Sequence, residues 1–166
     1  MKKLIYVFLI NIFITNYSSA IIEVDITRGN LDPLPIAVSP LHVDIKSEKY
    51  KDLNVKELGE KISEIIEKNF KNTGLFNPLK KDAFVQKPDI AHLKPRFEDW
   101  RLIKAQALVT GKLLISGDKL KVEFRLWDLA AAQEMTALAF TTTPSNWRRV
   151  AHIISDKIYE LSLIHI

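Results

Sequence analysis

Residues 107–142 read ALVTGKLLISGDKLKVEFRLWDLAAAQEMTALAFTT, and this stretch decides the fold. Ala107 to Ser116 forms an apolar run. Gly117-Asp118 follows, a pair suited to a tight hairpin turn whose twist matches that of the flanking strands. Leu120, Val122, Phe124 and Leu126 then alternate with Lys121, Glu123, Arg125 and Trp127. A period of two gives a strand one buried and one solvated face. A third strand is predicted from about Glu134 to Thr142, after the Ala130-Ala131-Ala132 connection. Three strands in series predict a meander.

Helices are predicted on both sides of it. Downstream, Ser145 is placed to cap a helix whose apolar stripe is Trp147, Val150, Ala151, Ile154, Ile158 and Leu161. Upstream, Asn54 is a candidate N-cap, with Glu57 three residues later for a capping-box-like exchange. Val55, Leu58, Ile62, Ile65, Ile66 and Phe70 recur at helical spacing, while Glu57, Glu60, Lys61, Glu64 and Lys68 fall on the solvated side. Gly74 is suited to the left-handed C-cap conformation, and Leu75-Phe76 turn the chain back toward the core. Lys80 to Pro95 reads as loop, punctuated by Pro78, Pro88 and Pro95, with a short helical turn at Phe97–Trp100. Leu34–Val38 reads as a buried strand whose prolines limit its pairing to the ends. The order predicts an α+β fold, with two helices packed on one face of a mixed, mainly antiparallel sheet.

The first twenty residues read separately. Lys2 and Lys3 precede an apolar run from Leu4 to Ile14, too short to span a bilayer, and Ser18-Ser19-Ala20 offers the small residues of a signal-peptidase site. Residues 1–20 are therefore expected to be a signal peptide, leaving a mature chain from Ile21. Without Lys2 and Lys3, 22 basic and 20 acidic residues remain, a net charge of +2. So balanced a surface exerts little long-range pull on nucleic acid or anionic lipid. The chain has no cysteine, which excludes disulfides, thiol catalysis and cysteine-ligated zinc.

Catalytic signals are absent from the remaining residue types. His42, His92, His152 and His165 show no metal-ligand spacing and read as surface or interface residues. Ser39 and Ser116 lack a nucleophile elbow, and five glycines form no phosphate-cradling loop. Trp147-Arg148-Arg149 is too small for a nucleic-acid patch. Its expected role is packing by Trp147 at the helix start, with the arginines reaching carboxylates on the sheet or on a neighbouring domain. No enzyme, cofactor or metal is predicted.

The mature amino terminus is different. Ile22-Glu23-Val24-Asp25-Ile26-Thr27 alternates with period two and ends at the turn signal Arg28-Gly29-Asn30. Joining a sheet edge stabilises such a strand by about 0.5–1.5 kcal/mol per hydrogen bond. Burial of Ile22, Val24 and Ile26 adds about 1.5–3 kcal/mol each. Ordering six backbones costs about 1–2 kcal/mol apiece. The terms nearly cancel, so the segment is balanced between docking on its own domain and pairing with another protein's sheet.

Three stretches carry a resemblance. Thr73-Gly74-Leu75-Phe76 follows the first helix. Phe97-Glu98-Asp99-Trp100-Arg101 leads to Ala107-Leu108-Val109-Thr110-Gly111. Phe124-Arg125-Leu126-Trp127-Asp128 precedes Trp147-Arg148-Arg149-Val150-Ala151-His152. In this order they resemble the amino-terminal domain family of TolB, a periplasmic component of the Tol–Pal system. The resemblance covers the mature chain to about Glu160. It implies domain bounds of 21–32 for a mobile segment and 33–161 for the α/β domain.

It further implies that the first dozen mature residues bind the carboxy-terminal domain of TolA, here through Ile21, Ile22, Glu23, Val24, Asp25, Ile26, Thr27, Arg28 and Gly29. TolA connects to the energised inner membrane, so the implied function is that of an adaptor supporting outer-membrane integrity and constriction during division. Family members continue through a Gly-Glu-x-Gly-Tyr-Phe-type link into a six-bladed β-propeller that binds Pal. Here Leu161-Ser162-Leu163-Ile164-His165-Ile166 stands instead, so residues 162–166 are expected to be an atypical end and Pal binding to need a propeller absent from this chain. Lys104 and Ala132 occupy positions where the family pattern leads one to expect glycine. The alternative function is a periplasmic small-molecule-binding or sensor domain.

Overall fold

The computed structural model describes residues 32–165, with side chains described to residue 162. The expected signal peptide and the Ile21–Gly29 segment lie outside the described residues. The elements are β1 (Leu34–Val38), β2 (His42–Val43), α1 (Val55–Thr73), β3 (Phe76–Pro78), α2 (Pro88–Ala91), α3 (Phe97–Leu102), β4 (Ala107–Ser116), β5 (Lys119–Asp128), β6 (Gln133–Thr142) and α4 (Trp147–His165). The architecture is the expected α+β one. Its sheet runs β3-β1-β4-β5-β6, with β2 alongside β4.

The meander forms as expected, with β4, β5 and β6 antiparallel and a bulge between Leu126 and Trp127. Unforeseen is the place of β1, which lies parallel to β3 on one side and to β4 on the other. Parallel neighbours cannot be joined by a hairpin. Helix α1 therefore carries the chain from β1 to β3, and residues 79–106 carry it from β3 to β4. Pro35 survives inside the sheet because its carbonyl, the group it retains, accepts the Gln106 amide at 2.9 Å. β3 has no sequence signal of its own, since Phe76-Asn77-Pro78 is too short to show alternation.

Alternation divides the core in two. On one face Ile36, Val38, Val109, Leu120, Val122 and Phe124 pack against Leu58, Ile62, Ile66 and Phe70 of α1 and Val150, Ile154 and Ile158 of α4. On the other, Ala37, Leu108 and Trp127 pack with Ala91, Trp100, Ala105 and Leu129, covered by Leu79, Phe84, Phe97 and Ile103. Trp127, read from the alternation as solvated with Lys121 and Arg125, is thus buried, 7% exposed, and donates from Nε1 to Thr110 Oγ1 at 2.9 Å.

Two capping expectations are corrected. Asn54 is the N-cap residue of α1 but makes no side-chain cap bond, and Glu57 pairs with Lys61 at 3.0 Å. A cap contributes about 1 kcal/mol, against about 1.5–3 kcal/mol for each of the four large apolar side chains that α1 buries. The helix forms without it. Ser145 lies within a 3-10 turn, Pro144–Asn146, and its hydroxyl meets Thr143 Oγ1 at 3.0 Å.

Backbone sterics bear on Gly59, Lys104 and Ala132 among other positions. A Cβ on Gly59 would lie 1.9 Å from the Leu41 carbonyl oxygen, so α1 approaches the β1–β2 connection as only glycine permits. Lys104 and Ala132 adopt φ of 63° and 54°, the left-handed region that costs an L-residue about 1–2 kcal/mol. The glycine expected there has a physical basis. Gly59→Ala is expected to destabilise the domain by about 2–3 kcal/mol, whereas Lys104→Gly and Ala132→Gly should each stabilise it by about 0.5–1 kcal/mol. Urea titration of the purified variants measures both signs.

Candidate functional site

Where β1 and β4 begin and β5 ends, the sheet and α4 enclose a cavity of about 290 Å³. Leu34, Ile36, Phe76, Ala107, Leu126, Met135 and Ile158 are among its walls, with Gln106, Asp128 and Ser162 as the polar groups. Asp128 is its one titratable residue, and Asp128 Oδ1 already accepts the Ala131 amide at 2.8 Å. Among the described residues no pair of acid and base converges there. The lining that these residues give the cavity is suited to receiving an apolar group.

The residues that carried the family resemblance build the second sheet layer. Gln86, 3% exposed, accepts Trp100 Nε1 at 3.0 Å and the Arg96 amide at 2.9 Å on its Oε1. Its Nε2 donates to the Lys94 carbonyl at 3.3 Å. Arg101 donates from Nε to the Leu129 carbonyl at 2.6 Å and pairs with Glu98 at 2.6 Å. Phe97 meets Trp127 edge-on, ring centroids 5.9 Å apart. These groups hold the 79–106 connection to the sheet.

The sequence-flagged polar residues fall into separate places. Trp147 is buried, as expected, but Arg148 stacks over its ring at 4.2 Å and neither Arg148 nor Arg149 has a carboxylate within 4.0 Å among the described residues. His152 Nδ1 is 3.0 Å from Asn69 Nδ2, which also donates to Ser155 Oγ at 3.0 Å, so α1 and α4 are bridged by polar contacts. His42 and His92 stack in parallel, 4.4 Å between centroids, joining β2 to α2; sequence spacing gave no sign of this. Among the described residues no group of three or more His, Cys, Asp or Glu could hold a metal ion, and no helix is long and apolar enough to cross a membrane.

Comparison with known proteins gives a consistent picture. Residues 22–135 match the family described as the TolB amino-terminal domain. The chain is 62% identical over 157 residues to the Tol-Pal system protein TolB of Pelagibacter ubique, covering 93% of this chain and 35% of the relative's length. Among solved structures, TolB from Acinetobacter baumannii superposes with a TM-score of 0.62 at 20% identity, over 79% of this chain and 28% of that one. PelC from Paraburkholderia phytofirmans, solved as a dodecamer, gives 0.50 at 16% identity, over 78% and 89% of the two chains. At those identities the superpositions speak for the fold alone.

The histidine stack makes stability depend on pH. Burial pushes the His42 imidazole below its ordinary value of 6.5, the His92 ring and Lys112 push the same way, and Asp44 and Asp89 oppose. The folded state therefore favours neutral His42. Its contribution is fully present above about pH 6.5 and is lost as the pH falls below that value. The melting temperature should drop on acidification through this window, and His42→Phe, which keeps a ring on His92, should flatten that part of the profile.

Proposed function

The chain belongs to the TolB amino-terminal domain family, and from that membership we propose that it is a non-enzymatic periplasmic adaptor of the Tol–Pal system. In this reading residues 21–29 bind the TolA carboxy-terminal domain, with Ile22, Val24 and Ile26 as the apolar contact face. The carrying observation is the family match from residue 22 to residue 135, which takes in most of this segment together with β1 to β5 and the start of β6. A cavity walled by apolar side chains and lacking convergent titratable groups agrees with binding rather than turnover. The chain spans about a third of the curated relative's length, so Pal binding and the roles in envelope integrity and division are proposed for the longer protein.

The test is a calorimetric titration against purified TolA carboxy-terminal domain. Deleting residues 21–32, or replacing Ile22 and Val24 with Asp, should abolish binding while the circular-dichroism spectrum and melting temperature stay unchanged. Equal affinity for the deleted and intact chains would refute the assignment. The small-molecule alternative rests on the 290 Å³ cavity, which is near the lower bound for ligand pockets. A metabolite that raises the melting temperature, with the shift lost in Ala107→Trp, would favour it.

A further inference from the structure

Another surface of the described residues shares only Phe76 with the lining of the cavity. Between α1 and the outer edge of β3 runs an open groove of about 460 Å³. Four lysines line it: Lys68 and Lys71 from α1, Lys80 and Lys81 from the chain just beyond β3. Lys81 is engaged, its Nζ 3.5 Å from Glu67 and 3.9 Å from Glu60. Among the described residues no carboxylate lies within 4.0 Å of the Lys68, Lys71 or Lys80 ammonium. Glu64 and Glu67 also line the groove. Glu67 is half-buried against Lys81, and burial raises its pKa. Three unpaired ammoniums thus face one exposed carboxylate, on a chain whose overall charge is nearly balanced.

The floor of the groove is a strand edge. Among the described residues β3 pairs only with β1. The Leu75 carbonyl accepts from Leu34 N and the Leu79 amide donates to the Ile36 carbonyl, so the odd-numbered residues face β1. In a parallel ladder the alternate residues point away. The Phe76 amide and carbonyl and the Pro78 carbonyl are therefore directed outward, toward the groove.

We propose that this groove binds an extended acidic peptide segment of a partner protein, which adds a short strand to β3 while its carboxylates meet Lys68, Lys71 and Lys80. The outward carbonyls select between the two sources of negative charge. A peptide brings N–H donors for them and an acceptor for the Phe76 amide. A lipid phosphate brings acceptors only.

The probe is a fluorescein-labelled hexapeptide of alternating Glu and Val, titrated by anisotropy against the full chain. Saturable binding that weakens with salt is expected, and Lys68→Glu/Lys71→Glu/Lys80→Glu should weaken it roughly tenfold. All three positions are exposed, so the variant should melt as the parent does, and Lys80→Ala alone offers a milder check. Methylating alternate backbone nitrogens of the peptide should weaken binding as well. The proposal is overturned by absence of saturation, by equal affinity of parent and charge-reversed chains, or by equal affinity of the methylated peptide. It is also overturned if phosphatidylglycerol vesicles, and not the peptide, lose binding to the charge-reversed chain.

Discussion

Strand β1 is hydrogen-bonded on both flanks and covered on both faces, and the rest of the fold follows from that requirement. Ile36, Ala37 and Val38 are all fully buried, as expected of a strand inside a parallel region. Its two neighbours run in its own direction, so each junction needs a connection long enough to bring the chain back. One is α1, which also supplies half of the helix layer. The other is the 79–106 connection, which has no long helix and therefore covers the second face with large rings and a buried amide. Trp100, Phe84, Phe97 and Trp127 serve there as a surrogate for a helix layer.

This arrangement explains which features were legible beforehand. Helix α1, the hairpin at Gly117-Asp118 and the stripe of α4 depend on residues close in sequence, and their periodicity is clear. Pairing of β1 with β3 and β4 has no local signal, because parallel partners are far apart in the chain. Alternation misplaces Trp127 because it reports which side of a strand a residue takes, not whether that side is covered. Ser145 and Asn54 looked like caps by residue type. Neither makes a side-chain bond to the helix, since tertiary burial outweighs a contribution of about 1 kcal/mol.

The family-marking motifs have a structural meaning. Gly74 ends α1 in the left-handed conformation at φ 71°. Arg101 fastens α3 to the carbonyls at Leu129 and Ala130, and Trp127 closes the layer beneath. Sequence resemblance therefore reported the architecture through the residues that hold the long connection in place. The candidate partner-binding residues gave a different kind of signal, a short alternating segment whose docking terms nearly cancel. The stacked imidazoles and the lysine-lined groove were illegible for another reason. Each is assembled from positions brought together only by the fold: β2 with α2, and α1 with the residues after β3.

The interior position of β1, between β3 and β4, also has a mechanical consequence. Tension applied to the chain ahead of Asp32 enters the domain at Leu34, the first residue of this strand. A strand at a sheet margin, pulled sideways, peels away one bond at a time. β1, drawn along its own axis between two parallel ladders, must shear several bonds on both sides together. Pulled in this direction, the domain is held through a strand bonded on both flanks.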